Sequence, residues 1–267
     1  MKREHEARVE LIYSATGVMD SLPILMFFPI GVQIPAVQIG QIHHAMLENS
    51  GYTRFPTSRH IHIDKADFDT FDDSADFWPQ AQRGLTAVYE QRIRPMLTGR
   101  DAATHLTIAA VAPTPLLMKL GALLGDKTEA MILDLPGERW VWDRRPDCPA
   151  PEFLFEVPET LPPEVSVLVS ISNRGVQPTE RHVVEFRARE PNRGIIRTEG
   201  HLQAFRREFN AFLMSLVRAG VQVLHIHPVM PLCASVEVGR MLLPKTFEEV
   251  HVWDWQAPIW KPAVRLK

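Results

Sequence analysis

Two short motifs in this chain have the residue types and the spacing of metal ligands. His60-Ile61-His62 and His225-Ile226-His227 each place two imidazoles at alternate positions. On an extended strand that alternation turns both rings to one face, as metal-dependent hydrolases with barrel folds use for two of their ligands. Asp64 stands close to the first pair, and 267 residues are enough for a barrel. Against a metal centre stand the two separate pairs, a repeat in two halves and the lack of a further ligand cluster. The other reading is polar histidines at strand ends, some of them lining a pocket. Asp64, Asp67, Asp69, Asp72, Asp73 and Asp76 form an acidic run that could bind a cation or simply solvate a loop. His43-His44 fall on an expected helix and read as partly exposed. The chain has neither G-x-G-x-x-G nor G-x-x-x-x-G-K-[ST], so a standard dinucleotide or P-loop phosphate site is not supported. It has no G-x-S-x-G nucleophile elbow.

The loops that follow the expected strands offer different chemistry. In an open parallel sheet, ligands sit at the carboxyl ends of strands, near the point where the strand order reverses. Here those loops are Ser14–Gly17, Lys65 and its neighbours, Ala112–Pro115, Ser172–Gly175 and His227–Pro231. The candidate ligand-binding residues are Ser14, Thr16, Gly17, Lys65, Pro113, Thr114, Ser172, Asn173, Arg174, His227 and Met230. They combine hydroxyls, backbone amides and cationic groups. The helix starts after Pro115 and Pro231 leave unpaired N–H groups that favour anions. Two such rims side by side suit a ligand with several phosphates and its own approximate symmetry. No residue is assigned a catalytic role, and no metal or cofactor is assigned.

The elements that must position these loops come from a unit that occurs twice. Leu106–Leu135 and Val223–Trp255 each read as an apolar run, a proline-bearing turn, an apolar stretch with a glycine inside, a break with a lysine, and a second apolar run ending at an Asp. Gly121 answers to Gly239, Lys127 to Lys245 and Asp134 to Asp254. Strand–helix–strand units of this kind build nucleotide-binding sheets, and two copies imply two fused, related lobes. Before the first copy, Arg8–Tyr13 and His60–Asp64 read as strands, Gln33–Asn49 as a helix stopped by Gly51, and Asp76 to about Leu97 as a second helix ended by Gly99. Before the second copy, Glu164–Ser172 reads as a buried strand and His182–Ala188 as another. Thr198 is expected to cap the helix His201–Ala219, whose apolar stripe is Leu202, Phe205, Phe209, Leu213, Leu216 and Val217, with Gly220 as its stop. The fold expected is α/β: two fused Rossmann-like lobes related by pseudo-two-fold symmetry. Residues 1–142 make the first lobe and 164–267 the second, joined by a proline-rich connection, 143–163, held down by Trp140 and Trp142.

Composition sets bounds on these readings. A hydrophobic fraction of 45% supports a real core, and 23% charged residues is ordinary. A net charge of -3 gives no general attraction for long nucleic acid, while a local basic pocket stays open. Two distant cysteines, Cys148 and Cys233, fit a reducing compartment and give no zinc spacing. No secretory signal is visible, and the most apolar segment, Leu22–Ile34, is too short to span a bilayer. The chain reads as soluble and cytoplasmic, with Leu22–Ile34 as core or as an interface.

APTPLLMKLGALLGDKTEAMILDL, followed by Trp140 and Trp142, and HPVMPLCASVEVGRMLLPKTFEEVHVWDW resemble the two halves of a SAVED domain. SAVED domains are cyclic-oligonucleotide sensors of bacterial antiviral CBASS and type III CRISPR systems. They are similar to two fused CARF domains, Rossmann-like receptors for cyclic oligoadenylates. The resemblance is firmest over Thr104–Trp142 and Glu164–Trp255. It implies CARF-like lobes that bind a cyclic di-, tri- or tetranucleotide across their shared face, and an effector switched by that ligand. The two lobes use nearly all of the chain, so the effector is expected to be a separate protein. The resemblance also implies ligand-induced, head-to-tail self-association, for which Leu22–Ile34 is a candidate contact. Two enzymatic readings stand beside the sensor. A ring nuclease of the same fold would cleave the bound ligand with Lys65, Arg174 and His227 placed about the reacting phosphate. A metal-dependent hydrolase would use His60 and His62.

Overall fold

A computed structural model of the chain describes residues 19–28, 37–68, 76–134, 140, 142–143, 148–179, 182–242 and 246–267. The expected first strand, Arg8–Tyr13, and the loop Ser14–Gly17 lie outside the described residues. The first sheet holds β1 (Met19–Phe27), β2 (Arg54–Pro56), β3 (Ile61–Asp64), β4 (His105–Val111) and β5 (Glu129–Leu133). Its order is β2-β1-β4-β5, with β3 beside the carboxyl half of β1, and every pairing is parallel. The second sheet holds β6 (Phe153–Phe155), β7 (Glu164–Ser170), β8 (Val183–Ala188), β9 (Val223–Val229), β10 (Glu249–Gln256) and β11 (Ile259–Arg265), in the order β11-β10-β9-β7-β8-β6. Its inner strands are parallel, and the edge strands β6 and β11 pair antiparallel. Without those edges both sheets follow one order, second strand, first, third, fourth, so the Rossmann-like α/β reading holds for each half. The edge strands were not legible. Phe153–Phe155 lies in the segment expected as a connection, and Ile259–Arg265 lies beyond the repeated unit.

The segment Leu22–Ile34 is where burial decides between the two readings. Leu22, Ile24, Leu25 and Met26 are fully buried and Phe28 is nearly so. Residues 22–27 are the carboxyl part of the inner strand β1, flanked by β4 on one side and, from Ile24 on, by β3 on the other. An apolar run without alternation is what a strand buried on both faces requires. Residues 22–26 and Phe28 are therefore core rather than free surface, and Phe27 is half-buried; residues 29–34 lie outside the described set.

The helices follow from right-handed crossovers. α1 (Ile39–Asn49) links β1 to β2. α2 (Phe77–Val88), which runs on through a wide turn at Tyr89–Ile93 to Arg94–Leu97, leads to β4, and α3 (Thr114–Leu124) links β4 to β5. α4 (Glu199–Arg218) links β8 to β9, and α5 (Leu232–Met241) links β9 to β10. Because β3 and β5 lie on opposite sides of β1, α1 covers one face of the first sheet and α2 and α3 the other. In the second sheet α4 and α5 share one face. Between β7 and β8, residues 171–179 and 182 hold no equivalent of α1, so among the described residues no helix covers the other face of this sheet.

α4 is built as its stripe demands. Thr198 Oγ1 accepts from His201 N at 3.0 Å, and Gly220 ends the turn at φ 92°. Phe205, Phe209 and Phe212 are fully buried, with ring centroids 6.0, 5.1 and 5.3 Å from that of Phe186 on β8. α3 and α5 are buried on nearly every side, α3 mostly by apolar residues and α5 with Ser235, Glu237 and Arg240 among its buried residues. They pack on one another and form the seam between the two halves. Their crossing point is the repeated glycine: a Cβ on Gly121 would overlap the Val236 carbonyl, and one on Gly239 would overlap the Met118 carbonyl. Val236 and Met118 each precede the facing glycine by three positions, so the contact is reciprocal. Polar bonds extend the seam. Arg240 Nη2 donates to Thr128 O at 2.8 Å, and Lys119 Nζ donates to Arg265 O at 3.3 Å and Leu266 O at 3.4 Å.

Candidate functional site

Strand order places a switch point twice, between β1 and β4 and between β7 and β9. At the first, Phe28 N donates to Val111 O at 2.7 Å; at the second, Ile171 N and Ser172 N donate to Val229 O at 2.8 and 3.0 Å. In open parallel sheets ligands bind at the carboxyl side of such a point.

The rim of the first sheet carries Pro113 and Thr114, half-buried at the start of α3, and Lys65 in a short 3₁₀ turn, Lys65–Asp67, after β3. That turn is held rigidly. Asp64 Oδ1 accepts from Ala66 N at 2.8 Å, and Asp67 Oδ2 accepts from Asp64 N at 3.0 Å. Arg92 donates to Asp67 Oδ1 at 2.7 Å and also to His62 O. Arg92 reaches the turn from the wide helical turn Tyr89–Ile93, a local widening that no residue pattern announced. Two of the run of aspartates are thus structural, and residues 69–75 lie outside the described set. Ser14, Thr16 and Gly17 also lie outside it.

The rim of the second sheet carries Ser172, Asn173 and Arg174. Asn173 and Arg174 are exposed, and Asn173 Oδ1 accepts from Arg174 N at 2.9 Å. Their loop is pinned to the helix-free face of the sheet, because Gly175 N donates to Ser170 Oγ at 3.2 Å and its Cα lies against Leu168 and Val229. Met230 is buried. The start of α5 does not stand free for an anion. Buried Cys233 hydrogen-bonds the Asp134 carboxyl just after β5. Burial, then the Asp134 charge, push the Cys233 thiol well above its ordinary range. Asp134 thereby bridges the two rims across the seam. The sequence marked it only as a repeated residue.

His227 is not at the rim. It lies within β9, fully buried, with its ring stacked on Trp253 at 5.2 Å and meeting Trp260 edge-on at 5.0 Å. Burial, helped by neighbouring His225, lowers its pKa to about 4, so the ring is neutral at physiological pH. His225 and His227 do share one strand face, as alternation required. His225 is occupied, however: its Nδ1 accepts from Trp253 Nε1 at 3.1 Å and its Nε2 meets Glu164 at 2.7 Å. Its ring stacks on His251 at 5.1 Å. His60 is exposed and packs edge-on against His43, centroids 6.2 Å apart. Among the described residues no three His, Cys, Asp or Glu side chains are grouped to hold a metal ion.

Two further hollows open in the second half. One, of about 290 Å³, lies among Cys148, Glu152, Arg189, Asn192, Arg197 and His201 at the carboxyl end of β8. Its arginines are engaged: Arg189 makes a bidentate pair with Glu152 at 2.5 Å, and Arg197 Nε donates to Gly194 O at 2.8 Å. The other, of about 650 Å³, is an open groove at the amino ends of β7 and β9, lined by Glu164, Ser166, His182, His225 and Trp253. Among the described residues no helix is long and apolar enough to cross a membrane.

No curated protein matches the sequence. Among solved structures, the chain is similar to the Cap4 SAVED/CARF-domain containing receptor of Acinetobacter baumannii with the cyclic trinucleotide 2'3'3'-cAAA, at 13% identity and a TM-score of 0.60, over 97% of this chain and 54% of that one. A further structure of the same receptor matches at 14% identity and a TM-score of 0.55, over 97% and 52%. The Cap4 receptor of Moraxella osloensis matches at 12% identity and a TM-score of 0.56, over 94% and 50%. This chain therefore spans about half the length of the receptors it resembles, and at these identities the likeness shows the fold. A family model for the SMODS-associated and fused to various effectors sensor domain matches residues 89–266, which include both copies of the repeated unit, the glycine crossing of α3 and α5, and the whole second sheet. The chain belongs to the SAVED family of sensor domains.

Proposed function

We propose that this chain is a sensor that binds a cyclic oligonucleotide across its two carboxyl rims and, once loaded, switches a separate effector in antiphage defence. The observation that carries this reading is the membership of residues 89–266 in a sensor family. Two sheets of one strand order support it, since each has a switch point, the place where open parallel sheets take ligands. Receptors of similar fold take cyclic trinucleotides, so a ring of that size is the first to try. Lys65 and Arg174 supply the exposed cationic groups, Pro113, Thr114, Ser172 and Asn173 the backbone and polar contacts, and buried His227 takes no direct part.

A binding screen across cyclic di-, tri- and tetranucleotides tests the reading, with the bound ligand recovered afterwards. Intact ligand supports a sensor; linear product would instead make the chain a ring nuclease; failure to bind any of them rejects the reading. Arg174→Ala and Lys65→Ala are each expected to weaken binding by about 1–3 kcal/mol, the loss of one charge-assisted hydrogen bond. Melting temperature should hardly move, because both residues are exposed on loops. Two variants that bind as tightly as the parent would remove these rims from the site.

Self-association belongs to the same proposal. A ligand in an open crevice keeps one face uncovered, and a second copy seated on it makes a head-to-tail contact. Light scattering at saturating ligand should show a rise in mass, and an unchanged monomer mass rejects assembly. The contact lies outside residues 22–26 and Phe28, which are core.

A further inference from the structure

The carboxyl rim of the second sheet ends in a hairpin that contains none of the expected site residues. β10 turns over into β11 after Gln256, and Trp255 stands opposite Trp260 in the pairing. Three tryptophans line this edge of the helix-free face. Trp253 is engaged with His227 and His225 as described. Trp260 packs edge-on against His227, and its Nε1 donates to Val176 O at 2.9 Å, which ties the hairpin to the loop bearing Asn173 and Arg174. Trp255 has no such engagement. Its ring meets Trp260 edge to face, with centroids 5.3 Å apart, and among the described residues nothing accepts from its indole N–H. It is 38% exposed, in company with Ile259 at 53% and Val176 at 52%.

Trp255, held by a second ring, keeps more than a third of its surface open to solvent at the carboxyl rim. It offers a flat apolar surface beside the loop of Arg174. We infer that Trp255, supported by Trp260, is a stacking platform for one nucleobase of the bound cyclic oligonucleotide. The inference rests on the sensor reading and adds to it the residue that receives a base. Chemistry favours a base over other occupants. A cyclic oligonucleotide whose phosphates meet Arg174 must direct its bases away from them, and every base has a π-face that an indole can cover. The tether from Trp260 to Val176 fixes the ring pair relative to the cation, so one ligand can meet both.

The test titrates the full chain with cyclic di-, tri- and tetra-adenylate and follows binding by calorimetry and by tryptophan fluorescence. Trp255→Ala is expected to weaken binding about 10- to 100-fold and to remove the ligand-induced quench, while Trp255→Phe, which retains a stacking ring, stays within about fivefold of the parent. Trp255→Phe should melt near the parent, and Trp255→Ala is titrated at a temperature where circular dichroism shows it folded, because more than half of the ring is covered. Trp255→Ala binding within about twofold of the parent overturns the inference and leaves the sensor reading standing. A parent that binds none of the three, nor any other cyclic di-, tri- or tetranucleotide of the screen above, overturns both. Trp255→Ala that binds normally but no longer gains mass in light scattering makes the ring a contact between copies, and the inference falls.

Discussion

Gly121→Ala and Gly239→Ala should each destabilise the protein by about 3 kcal/mol, although alanine is the better helix former. Alanine in place of glycine at a helix interior ordinarily gains about 1 kcal/mol. Here the added Cβ would overlap a carbonyl oxygen of the facing helix and, at position 121, also lie 2.9 Å from Arg240 N and 3.0 Å from the Gly239 Cα. These neighbours are backbone, with no rotamer to change, so α3 and α5 must part. Parting loses dispersion contacts along two helices whose residues are nearly all buried. The steric cost therefore outweighs the propensity gain. The double variant should cost less than the sum, since both methyl groups force the same separation. Gly40→Ala in α1 is the control. Nothing lies within 4 Å of its added Cβ, so it should be neutral or stabilising by up to about 1 kcal/mol. Urea melts decide. Gly121→Ala with a midpoint at or above the parent's would mean that the seam is not closed at this crossing.

Acid should unfold the protein well before its carboxylates are fully titrated. Two histidines are buried in neutral form with pKa values of about 4. For His105 the causes are burial, then the charges of Arg54 and Arg240; its Nδ1 bonds Ser21 Oγ at 2.8 Å. For His227 they are burial, then His225. In the unfolded chain both rings titrate near 6.5. Between the two values the unfolded state binds more protons, so stability is fully present above pH 6.5 and is lost as pH falls through about 4. The interval corresponds to about 3 kcal/mol for each ring, and about 6 for both is comparable to the whole stability of a typical domain. Glu237, whose carboxyl burial pushes upward, works in the opposite sense and offsets part of this. His227→Phe keeps a flat ring between Trp253 and Trp260 and removes one titration. Its stability should fall less steeply from pH 6.5 to pH 4 than the parent's. Equal urea midpoints for the parent at pH 4.5 and pH 7.5 would show that these rings are not held neutral.

How much was legible before the structure depended on the distance over which each feature is decided. α4 was read nearly to the residue, because an amphipathic stripe, a threonine cap and a glycine stop all act within a few positions of one another. The two repeated strand–helix–strand units were read for the same reason. Their shared strand order follows from the handedness of the crossovers, so the carboxyl rims and the exposed pair Asn173-Arg174 were also within reach. β6 and β11 were missed because neither carries a strand pattern of its own: β6 has three residues, and β11, with Pro262 inside it, is exposed along most of its length. Phe153 earns its place by packing on Phe186 and Phe205, which lie far along the chain.

The sequence by itself determined the local elements, the doubling of the unit and the matching glycines inside α3 and α5. The tertiary structure alone decided which surfaces meet. An apolar run has no polar side to orient it, so Leu22–Phe27 could have been an exposed contact or an inner strand until its neighbours β3 and β4 covered it. A helix buried on nearly every side has no preferred face, and only the facing backbone shows that Gly121 and Gly239 close the seam. His227 and Trp255 have opposite fates for the same reason. Alternation places a side chain on a face but does not say what stands above it: Trp253 and Trp260 cover the histidine, and the rim leaves the tryptophan open.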